Sequence, residues 1–503
     1  MRIRIVGAGA MGRGIAQWAA SAGHTVELGD VRAEAVEEAV AFVRSMLERA
    51  VAKGRMSEEG GAAAVARLFP LDDPWAPGPD VELVIEAVRE DLDTKAEVFG
   101  KLAQALPATT VFATNTSSLS VTRIAATLDD PTRLAGLHFF NPVPLMKIVE
   151  VVPGTATRPE IPAALTELVE GCGHRAVTVA DTPGFLVNHA GRGLVTEALA
   201  LLEESVARPA DIDRIARDVL GLRMGPFELM DLTGLDVTAA VIDSIWQGFR
   251  NEPRLRPSYL TPNRVTAGLL GRKTGQGWYA YGPEAPVDAE EPVTGDADRP
   301  VHVPGDDEDS RSLREALTAA GARVETSPSP AAVVLVPVWG TGVADAVAAR
   351  GLPAARTFGV DPLSVASGRR VLSVTPAADP AAARDARAVL ARGDHCVTLV
   401  RDSAGSVGQR LLASVVSVAT SIAERSLAAP ADIDLAVTLG LGYPTGPLAW
   451  GDRIGAARLL ELQGALHTTT GDPRYRPTRW LTERARLGLP LTDPGTTPED
   501  CAG

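Results

Sequence analysis

The run Gly136-Leu137-His138-Phe139-Phe140-Asn141-Pro142 sets a histidine among aromatics. Twelve residues on, Glu150 stands in the strand-like stretch Lys147-Ile148-Val149-Glu150-Val151-Val152. This spacing suits proton transfer: imidazole titrates near neutrality, and a buried carboxylate behind it holds its tautomer and stabilises its cation. On its own, such a histidine more often sits hydrogen-bonded in a core or turn. What strengthens the chemical reading lies upstream, where Asn115-Thr116-Ser117-Ser118 follow a strand at Val111-Phe112-Ala113. Polar residues just past the carboxyl ends of parallel strands are where a doubly wound sheet binds its ligand. Asn115 and Ser117 have a second reading, as caps of a helix expected over residues 119–126.

A second constellation opens the chain. The strand Arg2-Ile3-Arg4-Ile5-Val6 runs into Gly7-Ala8-Gly9-Ala10-Met11-Gly12, then a helix reaching Ala22, a C-capping Gly23, and a strand Thr25-Val26-Glu27-Leu28 before Asp30. The first glycine reverses the chain, the second admits a pyrophosphate, and the third lets helix pack on strand. Phosphates then sit at the helix N-terminus, and Asp30 falls where an acid accepts ribose hydroxyls. An acid there favours NAD over NADP, because a 2′-phosphate would be repelled; Arg32 nearby tempers that preference.

These elements imply an α/β Rossmann-like domain over residues 1–180. A helical hairpin is expected around Lys53, reading on pattern as a solvated face, then a strand over residues 81–88 and a helix carrying Lys95. From residue 181 the texture becomes all-α to 282, including a long helix from Asn188 to about Ser205. Residues 283–310, rich in Pro, Asp and Glu, read as a flexible acidic linker. Beyond it lie a degenerate α/β segment (311–401) and a second helical repeat (402–490). Asp402-Ser403-Ala404-Gly405, Pro430-Ala431-Asp432-Ile433-Asp434 and Gly446-Pro447 match Asp181-Thr182-Pro183-Gly184, Pro209-Ala210-Asp211-Ile212-Asp213 and Gly225-Pro226, all three at one constant offset along the chain. A shared offset makes this an internal repeat, since chance matches would scatter. In the copy Asn188 becomes Gln409 and Glu228 becomes Ala449. The weak strands and helices begin near residue 299, where the first strand leads into Pro304-Gly305-Asp306-Asp307. Acids at that turn would repel a pyrophosphate, so this half is expected to bind no dinucleotide.

Composition narrows the classes further. With 503 residues and 45% hydrophobic content the chain is long enough for several cores, and no apolar run is long enough to span a membrane. The start goes directly into a strand without a leader pattern, and the three scattered cysteines form no disulfide framework or metal cluster. A cytoplasmic location is expected, with no metal. A net charge of −14 speaks against nucleic acid or anionic membrane as partner.

The assembled motifs resemble the L-3-hydroxyacyl-CoA dehydrogenase family over residues 1 to about 282. The resemblance is carried by the 7–12 turn, Ile85-Glu86-Ala87-Val88-Arg89-Glu90, the 115–118 and 136–142 runs, residues 181–188 and 225–231, and Gly271-Arg272-Lys273-Thr274-Gly275-Gln276-Gly277-Trp278-Tyr279. The tandem helical repeat is similar to the longer bacterial members, of the 3-hydroxyadipyl- and 3-hydroxybutyryl-CoA dehydrogenase types.

The resemblance implies NAD-dependent, reversible oxidation of a (3S)-3-hydroxyacyl-CoA. His138 would be general base and Glu150 its orienting acid. Ser117 would bond the reacting oxygen, and Asn188 would complete the polar set. Gly7, Gly9, Ala10, Met11, Gly12, Asp30, Glu90, Lys95, Asn115, Asn141 and Lys273 would contact NAD, and Lys53 the CoA phosphates. His189 stands where many relatives carry arginine. The family's helical domain pairs with a copy from another subunit. Here the two helical repeats could pair inside one chain as a pseudo-dimer, with a homodimer as the other arrangement. Two alternatives share the motifs: an NAD-dependent dehydrogenase of a free hydroxy or sugar acid, and a catalytically retired NAD-binding or structural protein.

Overall fold

The computed structural model describes residues 1–286 and 288–502. The chain forms two compact units, Met1–His189 with Ser426–Leu441, and Ala190–Arg425 with the chain from Gly442 on. The first begins β1 (Arg2–Val6), α1 (Ala10–Ser21), β2 (Thr25–Gly29), α2 (Ala33–Ala52), α3 (Glu58–Ala66), β3 (Leu68–Pro70). It continues β4 (Leu83–Glu86), α4 (Leu92–Ala105), β5 (Val111–Thr114), α5 (Val121–Ala125), β6 (Leu134–Phe139), β7 (Ile148–Pro153), α6 (Glu160–Gly171), β8 (Arg175–Thr178) and α7 (Val187–Ala190). The eight strands lie in the order β3-β2-β1-β4-β5-β6-β7-β8, all parallel except the β6–β7 pair.

Sheets of this kind are covered on both faces; in β1 and β2 aliphatics alternate with charged residues, of which Arg4 and Glu27 are buried and paired at 2.7 Å. Ile3, Ile5, Val26, Leu28, Ile85, Ala113 and Leu137 are fully buried accordingly, each large aliphatic contributing roughly 1.5–3 kcal/mol. The helix expected over 119–126 is shorter, and neither Asn115 nor Ser117 caps it. Its cap is Ser120, and Asp181 accepts from the Val121 and Thr122 amides at 3.0 and 2.7 Å.

In the second unit the helix expected to run to about Ser205 is interrupted at Gly191, a residue of low helix propensity. It resumes as α8 (Arg192–Glu203), followed by α9 (Pro209–Asp218), α10 (Pro226–Thr233), α11 (Leu235–Gly248) and α12 (Leu260–Thr266). The stretch read as a flexible linker is anchored instead. Glu290 pairs with Arg369, Arg387 donates to the Glu291 and Pro292 carbonyls, and Arg392 to the Ala297 carbonyl and the Asp298 carboxylate. Its acids and carbonyls meet arginines, which composition alone does not reveal, and its end enters the second sheet as β9 (Val301–His302).

That sheet continues through α13 (Glu308–Ala319), β10 (Val333–Pro337), α14 (Val343–Arg350), β11 (Thr357–Val360), β12 (Arg369–Val374), α15 (Pro380–Leu390) and β13 (Cys396–Arg401). Its order is β13-β12-β11-β10-β9, with only β11–β12 antiparallel. This succession repeats β4 to β8 of the first sheet. β12 and β13 begin at the repeat offset from β7 and β8, and Asp402 accepts from the first amides of α14 as Asp181 does for α5. The turn at 304–307 therefore follows the counterpart of β4, not of β1. Asp307 there caps α13 through the Ser310 amide at 2.8 Å. The whole β1–α1–β2 segment has no counterpart in the second sheet, a stronger reason than acidic repulsion for the absence of a dinucleotide turn.

The chain ends with α16 (Val407–Glu424), α17 (Pro430–Leu441), α18 (Pro447–Ile454), α19 (Ala456–Thr470), α20 (Arg479–Leu487) and a short terminal turn of helix. Within the second unit α8 packs along α16, and a Cβ built on Gly193 would lie 2.9 Å from the Ser414 carbonyl. Ser414 is the repeat counterpart of Gly193, so the two helices cross at equivalent positions, as around a two-fold axis. α17 packs on β7 and β8 in the first unit, where the Ala180 amide donates to the Leu427 carbonyl; α9 packs on β12 in the second, where the Arg401 amide donates to the Val206 carbonyl. Each repeat's segment before its second helix thus lies against the other repeat's sheet. Among the described residues no helix is long and apolar enough to cross a membrane.

Candidate active site

His138 and Glu150 are cross-strand partners in the antiparallel β6–β7 pair, and that register brings their side chains together. His138 Nδ1 lies 2.5 Å from Glu150 Oε2. The other carboxylate oxygen accepts from the Leu186 and Val187 amides at 2.9 and 2.8 Å. Those amides converge because Gly184 and Phe185 both take left-handed backbone, at φ 74° and 48°. For a phenylalanine such a conformation costs of order 1–3 kcal/mol and persists where surroundings enforce it. The imidazole lies against Phe140 and Phe185, with ring centroids 4.5 and 5.6 Å away. Glu150 is fully buried and His138 is 5% exposed. Nδ1 bound to a carboxylate carries the proton in the neutral ring, leaving Nε2 as the basic atom.

At the neighbouring end of β5, Asn115 Oδ1 accepts from the Phe139 amide at 2.8 Å and ties the 115–118 turn to the histidine strand. The turn closes around Glu90, whose Oε1 accepts from Thr116 Oγ1 at 2.7 Å and from the Ser117 and Ser118 amides at 2.8 Å. Burial pushes the Glu90 carboxyl up, but the Thr116 hydroxyl, the Lys95 charge and those two amides pull it down further, to about 2. Ser117 itself is exposed, its hydroxyl only at 3.5 Å from Glu90. It is thus available to a ligand oxygen.

Lys95, expected to contact NAD, has a side chain only 1% exposed, held by Glu86 at 2.7 Å and Glu90 at 3.3 Å. A lone buried ammonium is costly, so Lys95 sits between two carboxylates and fixes Glu90 from beneath. Burial raises Glu86, which also accepts from Thr114 and the Val88 amide. Glu86, Thr116, Ser118, Asp181 and Phe185 escaped the reading of the sequence as site-shaping residues. Glu86 and Asp181 lay within its quoted motifs, but nothing in one-dimensional spacing says which carboxylate faces inward.

The glycine turn fits a dinucleotide. A Cβ on Gly7 would fall 2.5 Å from the Ala87 carbonyl and one on Gly12 1.7 Å from the Gly7 carbonyl, whereas one on Gly9 would meet nothing within 4 Å. Two glycines thus serve packing, and the third opens room beside the start of α1, where Ala10 and Met11 form the first helical turn. Asp30 accepts from the Ala8 amide at 2.8 Å, facing a cavity of about 510 Å³ lined also by Gly7, Gly9, Trp75, Ala87 and Lys101. Asn188 follows Val187 directly on α7, and Asn141 is exposed at the end of β6. Lys53 is exposed at the C-cap of α2, with no hydrogen bond joining it to these residues. Lys273 belongs to the second unit, ion-paired with Asp236 at 2.5 Å.

Known proteins align with this arrangement. The family profile described as 3-hydroxyacyl-CoA dehydrogenase, NAD binding domain, matches residues 2–182, and that of the C-terminal domain matches twice, at 184–281 and 405–493. The chain is 37% identical over 486 residues to the 3-hydroxyadipyl-CoA dehydrogenase of Escherichia coli strain K12, covering 96% of this chain and 97% of that one. A probable 3-hydroxybutyryl-CoA dehydrogenase of Bacillus subtilis strain 168 is 38% identical over 280 residues, 56% of this chain and 97% of its own. The crystal structure of an Escherichia coli K12 3-hydroxybutyryl-CoA dehydrogenase superposes with a TM-score of 0.86 at 35% identity, covering 97% of this chain and 98% of that one. With the histidine–carboxylate pair, the glycine turn and both helical repeats accounted for, the chain belongs to the 3-hydroxyacyl-CoA dehydrogenase family.

Proposed function

We propose that His138, Glu150, Ser117 and Asn188 carry the chemistry of this NAD-dependent enzyme, which oxidises a (3S)-3-hydroxyacyl-CoA to the 3-oxoacyl-CoA and runs in reverse. The single observation behind this reading is His138 Nδ1 held at 2.5 Å by a buried Glu150 that is itself pinned by two backbone amides. NAD held there would supply the acceptor for the hydride leaving C3 with its electron pair. His138 Nε2 takes the hydroxyl proton as the C–O double bond forms, and Glu150 stabilises the imidazolium so produced. Ser117 Oγ bonds the reacting oxygen, and Asn188 completes the polar lining. The turn at Gly9, Ala10 and Met11 would donate backbone amides to the pyrophosphate, with Gly7 and Gly12 shaping it, Asp30 would accept from the ribose hydroxyls, and Glu90, Lys95, Asn115, Asn141 and Lys273 would meet the remainder of the dinucleotide.

The acyl group is a matter of pocket shape, and the matched Escherichia coli sequence and crystal structure carry names with different acyl groups. Turnover compared across C4, C8 and dicarboxylic 3-hydroxyacyl-CoA substrates by kcat/KM identifies it. Lys53, on an exposed turn between Arg49 and Arg55 in sequence, is a basic site for CoA phosphates on an otherwise acidic molecule. The crossing of α8 on α16 at equivalent positions supports an intrachain counterpart of a subunit dimer. Three unpaired cysteines suit a reducing cytoplasm. The test of the site is substrate-dependent NADH fluorescence. His138→Ala that retains NAD affinity but loses turnover supports the assignment; near-wild-type turnover overturns it.

A further inference from the structure

The α8–α16 crossing carries a buried charge network that is not symmetric. Arg410, 1% exposed, donates through Nε to Glu197 at 2.6 Å and through Nη2 to Glu204 at 2.9 Å. Glu197 is fully buried and also accepts from Tyr475 at 2.7 Å and Arg474 at 3.3 Å. Nearby, Arg425 reaches Glu252 at 2.7 Å. In each of these pairs the first helical repeat supplies the acid and the second the base; the reverse pair, Arg256 of the first repeat with Asp472 of the second, has a half-exposed arginine at the rim.

The equivalent positions do not reciprocate. At the repeat offset, Glu197 corresponds to Val418, Glu204 to Arg425, and Arg410 to His189. The segment Glu252-Pro253-Arg254-Leu255-Arg256-Pro257 recurs, one position short of that offset, as Asp472-Pro473-Arg474-Tyr475-Arg476-Pro477, so Tyr475 corresponds to Leu255. Part of the frame remains symmetric: Arg254 donates to the Arg476 carbonyl, and Arg474 lies 3.5 Å from the Arg256 carbonyl. Replacing the second repeat by another copy of the first would put Glu204 where Arg425 now meets Glu252, acid on acid. It would also bury Glu197 without Arg410 or Tyr475, leaving it only Arg254 in the place of Arg474. Pairing two second repeats would set Arg410 against Val418 and Arg425, a buried guanidinium with no carboxylate. A buried charge left without its partner is strongly destabilising, far more so than a surface pair.

We infer that the helical face within residues 190–282 is built to accept the face within residues 405–493 and to reject a second copy of itself. The partner it fits is a surface that places two arginines and a tyrosine over Glu197 and Glu204. Packing area alone does not choose between like and unlike pairing; the one-sided charges do.

The test uses the full chain with a protease site placed in the exposed 283–286 stretch and cut after folding, read by native mass spectrometry and by exchange of isotopically labelled fragments. The cut protein is expected to remain a one-to-one complex, with no homodimer of either fragment. Glu197→Val alone should speed fragment exchange about 100-fold by leaving buried Arg410 with half-exposed Glu204 as its carboxylate partner, and adding Arg410→Met should restore most of it. Glu197→Val with Glu204→Arg gives the first repeat the residues of the second, and homodimers of that fragment should then appear. Homodimers from the unmodified cut protein overturn the inference, as does a double variant that exchanges no more slowly than Glu197→Val.

Discussion

At the scale of single residues, the site separates into atoms that react and atoms that hold them. His138→Gln should lower kcat by about 10³-fold, within the usual range for a lost general base, while calorimetric NAD affinity stays unchanged. Glu150→Gln keeps a polar group for the Leu186 and Val187 amides but removes the charge behind the imidazole. Turnover should fall about 10- to 100-fold with KM little altered, since that charge matters most when His138 is protonated. The glycine turn offers a sharper division. Gly12→Ala forces a Cβ within 1.7 Å of the Gly7 carbonyl and should lower Tm, whereas Gly9→Ala meets nothing within 4 Å and should leave Tm unchanged. Gly9→Ala should nonetheless weaken NAD binding. Thermal scans beside fluorescence titration distinguish these outcomes; a Gly9 variant with normal NAD affinity would remove that glycine from the site.

At the scale of elements, the loop after β5 is organised by Glu90, which belongs to the preceding strand–helix connection. Its carboxyl titrates near 2 in the folded protein against an ordinary value near 4.5. The unfolded chain therefore takes up the proton first. The stability Glu90 contributes is complete above about pH 4.5 and is lost as the pH falls from there toward 2. Urea midpoints measured across that window should decline less steeply in Glu90→Gln than in the wild type. α17 is a second such support, since a Cβ on Gly440 would lie 2.8 Å from Val187, whose amide binds Glu150. Gly440→Val should therefore reduce kcat more than NAD affinity, measurable by steady-state kinetics and calorimetry together. Much at this scale was legible in sequence: the glycine turn, Asp30, and the strand pair bearing His138 and Glu150 have local spacing rules behind them. The anchoring of residues 288–300 was not, because the arginines that bind it come from distant stretches: Arg214, which donates to the Asp288 carbonyl at 2.6 Å, and Arg369, Arg387 and Arg392. Nor was the buried position of Lys95, since a lysine on an amphipathic helix is ordinarily solvated and only its two carboxylates keep it inside.

At the scale of the whole molecule, the repeat offset revealed the duplication, but not how much of the second sheet had survived. Short weak strands look alike in one dimension, and only pairing order identifies β9–β13 with β4–β8. What that sheet lacks is the entire β1–α1–β2 segment, and where His138 and Glu150 would fall it carries Asp361, with Gln409 and Ser406 bonded to it, and apolar Val371. A dimer of identical subunits presents two equal sites that can sense each other's occupancy. Among the described residues the symmetric frame carries a single dinucleotide turn, so it offers no equivalent second site with which cooperativity could arise within one chain. Within one chain, NAD saturation should be hyperbolic, with a Hill coefficient of about 1. The duplicated frame, without such a turn among the described residues, can then change its surface without altering the response of the enzyme to its cofactor.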